Sequence, residues 1–333
     1  MKKSLLGILT FVSMVFLSAG LSAIEIPNPV RGQFYPVYYE WMDPTVTQVP
    51  LDKVNATFIA FAHTMPGDGV QLPPSVSPNA SPYAAIDPST YTTDKNAFVL
   101  CYENARGVWN GKRVPPATGD TDHDRILKIA SEAHKTPGNK VLISLGWNQQ
   151  DWQNISTDLN SGNPHFVSSV VQFMEDNDLD GFDIDYEGVN GISETDFTTI
   201  CQQLKSAFAG KYILSLTPYQ TSMLNQINMA CFDMVNFQTY VSPDQYSSFY
   251  NQFTTSFNVP ANKMSFGTCE DTPDSHDFLG AVTFATSNSA AGVFNWQIQD
   301  DQTEKTHKYK TPSGGNVTYN SFPSVNYFYD YMK

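Results

Sequence analysis

Three acidic side chains alternate with apolar ones in the segment from Asp180 to Glu187, which reads Asp-Gly-Phe-Asp-Ile-Asp-Tyr-Glu. In a β-strand, residues two apart point to the same face, so Asp183, Asp185 and Glu187 are predicted to share one face. Neighbouring carboxylates cannot all ionise cheaply, and at least one of them is expected to have a raised pKa. A raised carboxyl pKa is what a general acid needs near neutral pH, so this pattern predicts acid–base chemistry.

Two other interpretations of these acids are possible. A solvated acidic edge strand would not require the intervening residues to be uniformly apolar. A calcium-binding loop is the second, because Asp176, Asp178, Asp180 and Glu187 fit the spacing of an EF-hand. The loop pattern normally has an apolar residue where Asp183 stands, and its exiting helix should begin where glycines occur instead. Acid–base chemistry on a strand is therefore the preferred interpretation.

Short apolar segments alternate with amphipathic ones along most of the chain. Eight of them are predicted strands: Phe34–Trp41, Thr57–His63, Lys140–Gly146, Leu179–Glu187, Tyr212–Tyr219, Asp233–Tyr240, Met264–Glu270 and Gly292–Gln299. The predicted helices are Asp122–Lys135, Phe166–Asp176, Glu194–Phe208, Ser222–Phe232, Gln245–Phe257, Ser275–Thr286 and Ser324–Met332.

This alternation predicts an α/β fold of parallel βα units, closed into a (β/α)8 TIM barrel. An open doubly wound sheet is the alternative, but it usually carries a glycine-rich phosphate turn after its first strand, and none is present here. Active sites of such barrels form at the carboxyl ends of the strands, where the acidic ladder ends. The segment 63–121 is predicted to be a long irregular loop on the same face.

The first 23 residues are predicted to be a secretory signal peptide, with Lys2 and Lys3, a short apolar run and small residues near Ala23. A membrane anchor is the alternative, but the apolar run is short for a bilayer span. Residues 24–333 would then form one catalytic domain that is secreted, extracellular or periplasmic. The net charge of −14 makes nucleic acid and anionic membranes poor partners.

Four cysteines, Cys101, Cys201, Cys231 and Cys269, lie far apart in the sequence. Their spacing does not fit a zinc site. An exported protein can oxidise them, and one or two bridges in any of three pairings are possible, as are buried free thiols.

The acidic segment matches every fixed position of D-G-x-D-x-D-x-E, the signature of the glycoside hydrolases of family 18, and the chain resembles that family over most of its length. Tyr38–Trp41 resembles the start of the family's first strand, and Ser144–Trp147 is similar to S-x-G-G on the third. Gln238–Val241 resembles M-x-Y-D on the sixth, with Gln for Met and Val for Asp, and Gly292–Trp296 is similar to G-x-M-x-W on the eighth. The segment from Glu270 to Gly292 is short, and in this respect the chain resembles the small, single-domain members of the family, which lack an inserted α+β module.

This resemblance implies a retaining hydrolase of β-1,4-linked N-acetylglucosamine polymers, namely chitin and chito-oligosaccharides, that acts by substrate-assisted catalysis without a cofactor or metal. It implies that Glu187 is the acid and base, that Asp185 accepts the N-acetyl N–H, and that Asp183 shares a proton with Asp185. Tyr240 would hold the N-acetyl oxygen, and Trp296 would form the floor beneath the sugar.

Further substrate contacts are predicted for residues at or near strand ends: Gln238, Tyr39, Trp147 and Tyr186. Asp180 and Gly181, at the beginning of the acidic strand, are predicted to be structural. Two other functions remain open, an endo-β-N-acetylglucosaminidase that acts on N-glycans and a chitinase-like lectin that binds without cleaving. Sequence alone does not separate endo from exo action, and it does not give the oligomeric state.

Overall fold

The structure is a computed structural model. It describes residues 23–36, 46–65, 99–102, 108–109, 112–113, 122–147, 149–188, 191–240, 242, 244–269, 277–301 and 308–333.

Eight parallel strands form a closed barrel. Each strand is hydrogen-bonded to the strand that follows it in the sequence, and the last strand is hydrogen-bonded to the first. They are β1 Val30–Pro36, β2 Ala56–Ala60, β3 Lys140–Leu145, β4 Gly181–Tyr186, β5 Ile213–Pro218, β6 Met234–Phe237, β7 Met264–Cys269 and β8 Gly292–Trp296. The predicted (β/α)8 barrel is confirmed. In such a barrel the carboxyl ends of all eight strands meet at one rim, which places the end of β4 among the loops that can form a site.

Helices surround the barrel. They are α1 Asp122–His134, α2 Gln149–Leu159, α3 Phe166–Asp176, α4 Glu194–Phe208, α5 Gln226–Met229, α6 Asp244–Ser256, α7 Phe278–Ser287, α8 Ile298–Asp301 and α9 Pro323–Tyr331. The bounds predicted for α3 and α4 agree with the structure, whereas α5 is much shorter than predicted. Helix α2 was not predicted, although Trp152, Ile155 and Leu159 stand at helical spacing within its polar sequence. None of the helices in the described ranges is long and apolar enough to cross a membrane.

Strand β1 begins four residues earlier than predicted, at Val30 instead of Phe34, and its described part ends at Pro36. Its pairing with β8 explains the shift, because Val30 lies opposite Gly292 and Gly32 lies opposite Phe294. A Cβ on Gly32 would lie 2.8 Å from the Cβ of Phe294, so this strand position requires a glycine. A glycine within a strand weakens the local pattern, which is why the beginning of β1 was not predicted.

Two apolar clusters lie on opposite sides of the barrel wall. The outer cluster fills the space between strands and helices, and it includes Phe182, Ile184 and Tyr186 of β4. The inner cluster occupies the barrel interior and consists of Val30, Phe34, Ala56, Phe58, Ala60, Phe61, Leu142, Ile213, Met234, Ala291 and Phe294. The remainder of the interior is polar, and the acidic ladder lies in that part.

The predicted loop 63–121 is only partly described. Ala62–Met65 pairs antiparallel with Val99–Tyr102, so two short strands replace part of the predicted irregular segment. A second short pair joins Val108–Trp109 to Lys112–Arg113.

Candidate active site

The alternation predicted for β4 is present. Phe182, Ile184 and Tyr186 belong to the outer cluster, and the intervening acids are directed into the polar part of the barrel interior. Asp183 is completely buried and Asp185 is 4% exposed, whereas Glu187, just beyond the end of the strand, is exposed. The ladder therefore runs from the barrel interior to the open rim, with only its last carboxylate accessible to solvent.

Asp183 is held by hydroxyl groups from both neighbouring strands. It lies opposite Ser144 of β3 and Ser215 of β5. The hydroxyl of Ser144 donates to Asp183 Oδ2 at 2.7 Å, and that of Thr217 donates to Oδ1 at 2.9 Å. Burial raises the pKa of Asp183 to about 6, and hydrogen bonds from Ser144, Ser215, Thr217 and Asn236 limit the rise. Asp183 can thus hold or release a proton close to neutral pH.

The hydrogen bonds continue across the barrel interior to β7. Asn236 Nδ2 donates to Ser215 Oγ at 2.8 Å, and Ser265 Oγ donates to Asn236 Oδ1 at 2.7 Å. All of these residues are buried. Because each group already has a partner, the network orients the hydroxyls that surround Asp183.

Gln238 connects the two outer acids of the ladder. Its Nε2 donates to Asp185 Oδ1 at 2.7 Å, and its amide lies close enough to Glu187 to limit the rise in the pKa of that carboxyl. The pKa of Asp185 is nevertheless raised well above its ordinary value by burial, by Glu187 and by Asp183. The side chain of Glu187 reaches solvent, but neighbouring atoms remove part of the hydration of its carboxyl, and this partial burial raises its pKa. The three acids therefore share protons, and Glu187 is the one that can deliver a proton to a molecule in the cleft.

Tyr240, which follows β6, lies beside the ladder. Burial raises the pKa of its hydroxyl well above the ordinary value, and electrostatic repulsion from the nearby acidic groups of Asp185, Cys269, Glu187 and Asp183 adds to this effect. A neutral phenol donates a hydrogen bond, so Tyr240 is suited to hold an oxygen atom near Asp185.

Aromatic rings form a platform next to these groups. The ring of Trp296, at the end of β8, is stacked on the ring of Phe61 with a centroid distance of 5.6 Å. It also contacts the ring of Phe34 in a tilted arrangement, with a centroid distance of 5.5 Å. Phe61 also contacts Trp147 at 6.0 Å. Trp147 is 39% exposed and Trp296 is half-buried, so both can offer a ring face to a ligand. Sequence reasoning missed Phe61, which carried no motif and is identified only because its ring supports both tryptophans.

Gly146 allows the end of β3 to approach the ladder. A Cβ at this position would lie 2.8 Å from the carbonyl oxygen of Asp185 and 2.9 Å from the ring of Trp152, and its φ of +129° disfavours other residues. Trp152 is buried and donates from Nε1 to the carbonyl of Gly146 at 2.6 Å. Gly146 thus positions the backbone of Asp185.

Tyr186 does not line the cleft. Its side chain points to the outer cluster, is fully buried against Phe197 with a centroid distance of 5.4 Å, and is hydrogen-bonded through its hydroxyl to Ser222 at 2.8 Å. The strand alternation that directs the acids inward directs Tyr186 outward, which corrects the predicted substrate contact. Tyr39 lies outside the described residues.

Asp180 and Gly181 lie at the opposite end of β4 from Glu187. Asp180 accepts hydrogen bonds from His134 Nε2 at 2.7 Å and from the backbone N–H of Val141 at 2.9 Å, so it joins α1 and β3 to the beginning of β4. A Cβ on Gly181 would lie 2.5 Å from the carbonyl oxygen of Ile213. The side chain of Asp180 and the close backbone approach at Gly181 thus hold neighbouring elements together at this end of the barrel. The calcium-loop interpretation fails, because the full length of β4 separates Asp180 from Glu187.

The described residues contain no group of three or more His, Cys, Asp or Glu side chains arranged to hold a metal ion. The groups that the site does offer are a solvent-accessible carboxyl with a raised pKa, a buried carboxyl beside it, a phenol donor and aromatic faces. Together they can protonate a leaving oxygen and stabilise a positive charge next to it.

Comparisons with known proteins agree with this arrangement. The sequence profile of the glycosyl hydrolases family 18 matches residues 35–332. Chitinase 1 of Tulipa saxatilis subsp. bakeri is 23% identical over 230 residues, which are 61% of this chain and 72% of that protein.

Two solved structures share the fold. A chitinase from Bacteroides thetaiotaomicron is 15% identical with a TM-score of 0.61, covering 92% of this chain and 96% of that one. The chitinase-like agglutinin from Robinia pseudoacacia is 13% identical with a TM-score of 0.58, covering 91% and 99%. Since the profile spans most of the chain and includes the acidic ladder, the resemblance inferred from the motifs is confirmed: this protein belongs to family 18 of the glycosyl hydrolases.

Proposed function

We propose that the protein is a chitinase that hydrolyses β-1,4-linked N-acetylglucosamine chains with retention of configuration by substrate-assisted catalysis. The observation that carries this proposal is the division of labour along β4. Glu187 is exposed with a raised pKa, whereas Asp185 is buried and hydrogen-bonded to Gln238 at 2.7 Å. One carboxyl is therefore placed to exchange protons with a substrate, and the other is placed to accept a hydrogen bond.

The first step is protonation of the glycosidic oxygen by Glu187. Partial burial raises the pKa of this carboxyl although the side chain reaches solvent, so it keeps a proton at a pH where an ordinary glutamate would be ionised. Proton transfer to the leaving group by a positioned acid contributes about 10²–10⁴-fold to a rate. As the proton moves, the bond between the anomeric carbon and the leaving oxygen breaks.

The nucleophile in this proposal is the oxygen of the substrate's own N-acetyl group. A second carboxylate that attacks the anomeric carbon would have to be exposed to it, and Asp185 is not. Asp185 instead accepts the acetamide N–H, and its negative charge stabilises the oxazolinium ion that forms. Tyr240 donates to the acetamide oxygen and keeps it in line with the anomeric carbon.

Asp183 supplies the electrostatic balance. A proton can lie on either buried aspartate. Because the pKa of Asp183 is about 6, moving the proton between the two carboxyls requires little free energy. When Asp183 takes the proton, Asp185 becomes fully ionised beside the developing positive charge. Glu187, now ionised, accepts a proton from water, which opens the oxazolinium ring and preserves the configuration.

The aromatic platform suits a pyranose chain. Trp296 would lie beneath the sugar that is cleaved, and Trp147 would extend the platform outward along β3. Aromatic faces bind the apolar faces of sugar rings, and a cleft open at the rim admits a long polymer. This feature favours chitin over a branched N-glycan.

The decisive experiment compares chitin hexasaccharide with a high-mannose glycopeptide as substrates, for the wild type and for Glu187→Gln. The expected result is cleavage of the hexasaccharide alone, with products initially in the β configuration by NMR, and loss of about 10²–10⁴-fold in the variant. Glu175→Gln, which changes an exposed carboxyl on α3, is the matched control and should keep full activity.

Cleavage of the glycopeptide instead would assign an endo-β-N-acetylglucosaminidase. Binding of the hexasaccharide without turnover by the wild type would assign a lectin, the class suggested by the similarity to an agglutinin. An initial α product would refute substrate-assisted retention.

We also propose that residues 1–23 direct export and are removed. Intact-mass measurement of the protein recovered from an exporting host should show a chain that begins near residue 24. Recovery of the uncut chain in the membrane fraction would contradict this proposal.

A further inference from the structure

Two buried cysteines lie on adjacent segments of the outer helical layer. Cys201 is within α4 and completely buried, and Cys231 follows α5 and is 7% exposed. Neither cysteine is in a disulfide in the structure, and the Cys231 thiol donates to the carbonyl of Ile227 at 3.7 Å. The turn after α5 continues the helical path as far as Cys231, since the N–H of Cys231 donates to the carbonyl of Asn228 at 3.0 Å.

Hydrogen bonds on either side of the two cysteines fix how these segments lie together. On one side, Asn225 Nδ2 donates to Glu194 Oε1 at 2.8 Å, and Asn228 Nδ2 donates to Thr198 Oγ1 at 3.1 Å. On the other side, the ammonium group of Lys205 bonds the carboxylate of Asp233.

The two segments therefore run side by side in the same direction. Cys201 is three residues after Thr198, and Cys231 is three residues after Asn228, the partner of Thr198. Three residues is close to one helical turn, so each cysteine lies one step further along the same face as its predecessor. The bonded pairs before and after them place the two side chains against each other.

We propose that Cys201 and Cys231 form a disulfide bridge that joins α4 to the segment after α5. The proposal rests on the export proposed above for an oxidising environment, and it does not depend on the substrate.

The bridge would form by thiol–disulfide exchange with a small disulfide such as oxidised glutathione. The Cys231 thiolate attacks one sulfur of the oxidant and releases one thiol, leaving a mixed disulfide. The Cys201 thiolate then attacks Cys231 Sγ and releases the second thiol. Two cysteine thiols are oxidised and one oxidant disulfide is reduced to two thiols; the two protons lost by the cysteine thiols are taken up by the two released thiolates, so no net proton is released.

The order of burial decides when this exchange occurs. Burial raises the pKa of both thiols in the folded protein, and the thiolate is the attacking form. Exchange is therefore fast while the chain folds and slow once α4 and α5 are packed. Cys231 is the more exposed of the two, so it is the sulfur that meets the oxidant first.

The bridge would close a loop of about 30 residues. Loop-closure entropy for such a length and the unfolding entropy of a chain of this size together give an increase in Tm of about 5 °C.

The test uses two samples of the mature protein, one exported to the bacterial periplasm and one refolded from denaturant in a glutathione redox buffer. Free thiols are alkylated under denaturing conditions, and peptides are then mapped by mass spectrometry without reduction. The expected result is a linked pair of peptides containing Cys201 and Cys231, and a Tm that falls by about 5 °C when the bridge is reduced.

Cys231→Ala should lose both the linked pair and the effect of reductant on Tm, whereas Cys269→Ala should keep both. If Cys231→Ala does not fold, the peptide map of the wild type decides alone. Free Cys201 and Cys231 thiols in both wild-type samples, or a bridge from either residue to Cys101 or Cys269, would overturn the proposal.

Discussion

Replacing Gln238 by methionine tests the electrostatic arrangement of the ladder. The two side chains have similar length and volume, but methionine has no N–H to donate. The Nε2 group of Gln238 donates to Asp185 at 2.7 Å, and its amide also limits the rise in the pKa of Glu187, so Gln238 favours the ionised form of both carboxyls. The substitution therefore removes stabilisation of negative charge without opening a large cavity.

The size of the effect follows from the burial of Asp185. A hydrogen bond to a charged group contributes about 1.5–3 kcal/mol, and 1.36 kcal/mol corresponds to one pH unit, so the apparent pKa values of the Asp185–Glu187 pair should rise by about 1–2 pH units. Protonated forms become more stable, so both limbs of the profile of kcat/KM against pH move to higher pH. At pH values below the acidic limb, kcat/KM of Gln238→Met should therefore be lower than that of the wild type by about 10–100-fold.

The assay is initial-rate hydrolysis of a chito-oligosaccharide between pH 3 and pH 10. Gln226→Met, which removes an exposed amide on α5 that donates to the carbonyl of Ser256, is the matched control and should leave the profile unchanged. If the limbs of the Gln238→Met profile lie at the same pH as in the wild type, or at lower pH, the assignment of Gln238 as the group that favours the ionised acids is refuted.

Three further substitutions follow from the geometry. Gly146→Ala places a Cβ 2.8 Å from the carbonyl of Asp185 at a φ of +129°, and should cost about 1–3 kcal/mol of unfolding free energy and lower kcat. Trp296→Ala removes the half-buried ring of the platform and should reduce kcat/KM by about 10–100-fold with little change in the pH limbs. His134→Gln should destabilise the protein by about 1 kcal/mol below pH 6, because the hydrogen bond with Asp180 raises the pKa of His134. That stabilisation is complete below the unfolded pKa of about 6.5 and disappears as pH rises through the higher folded value, so the two proteins should converge in alkaline buffer.

Denaturant unfolding measures the first and third of these effects, and steady-state kinetics measures the second. If Gly146→Ala has the same free energy of unfolding as the wild type, the backbone at the end of β3 can move away from Asp185 without loss of stability. A difference between His134→Gln and wild type that persists at alkaline pH would show that His134 acts through packing instead of charge.

Much of the fold and of the reactive centre can be predicted because strand and helix periodicities are local. The alternation in β4 alone places Asp183, Asp185 and Glu187 on one face, and the bounds of α3 and α4 follow from the spacing of their apolar residues. The same alternation also predicts that Tyr186 points outward, so its position near the end of the strand was not a sufficient reason to place it in the cleft. The sequence also shows polar residues at the inward positions of β3 and β5, but it does not show which groups they hydrogen-bond, so their role cannot be predicted from it.

What depends on contacts between distant segments was decided by the tertiary structure. Phe61 gains a role only because barrel closure brings the end of β2 next to Trp296 of β8, which is far from it in the sequence. The pKa of Asp183 depends on hydroxyls from two neighbouring strands and on burial, which a local pattern does not contain. The residue types and their order thus determined the acidic ladder, its strand and the family, whereas exposure, hydrogen-bond partners and electrostatic coupling arose from packing, because they depend on distances in space and not along the chain.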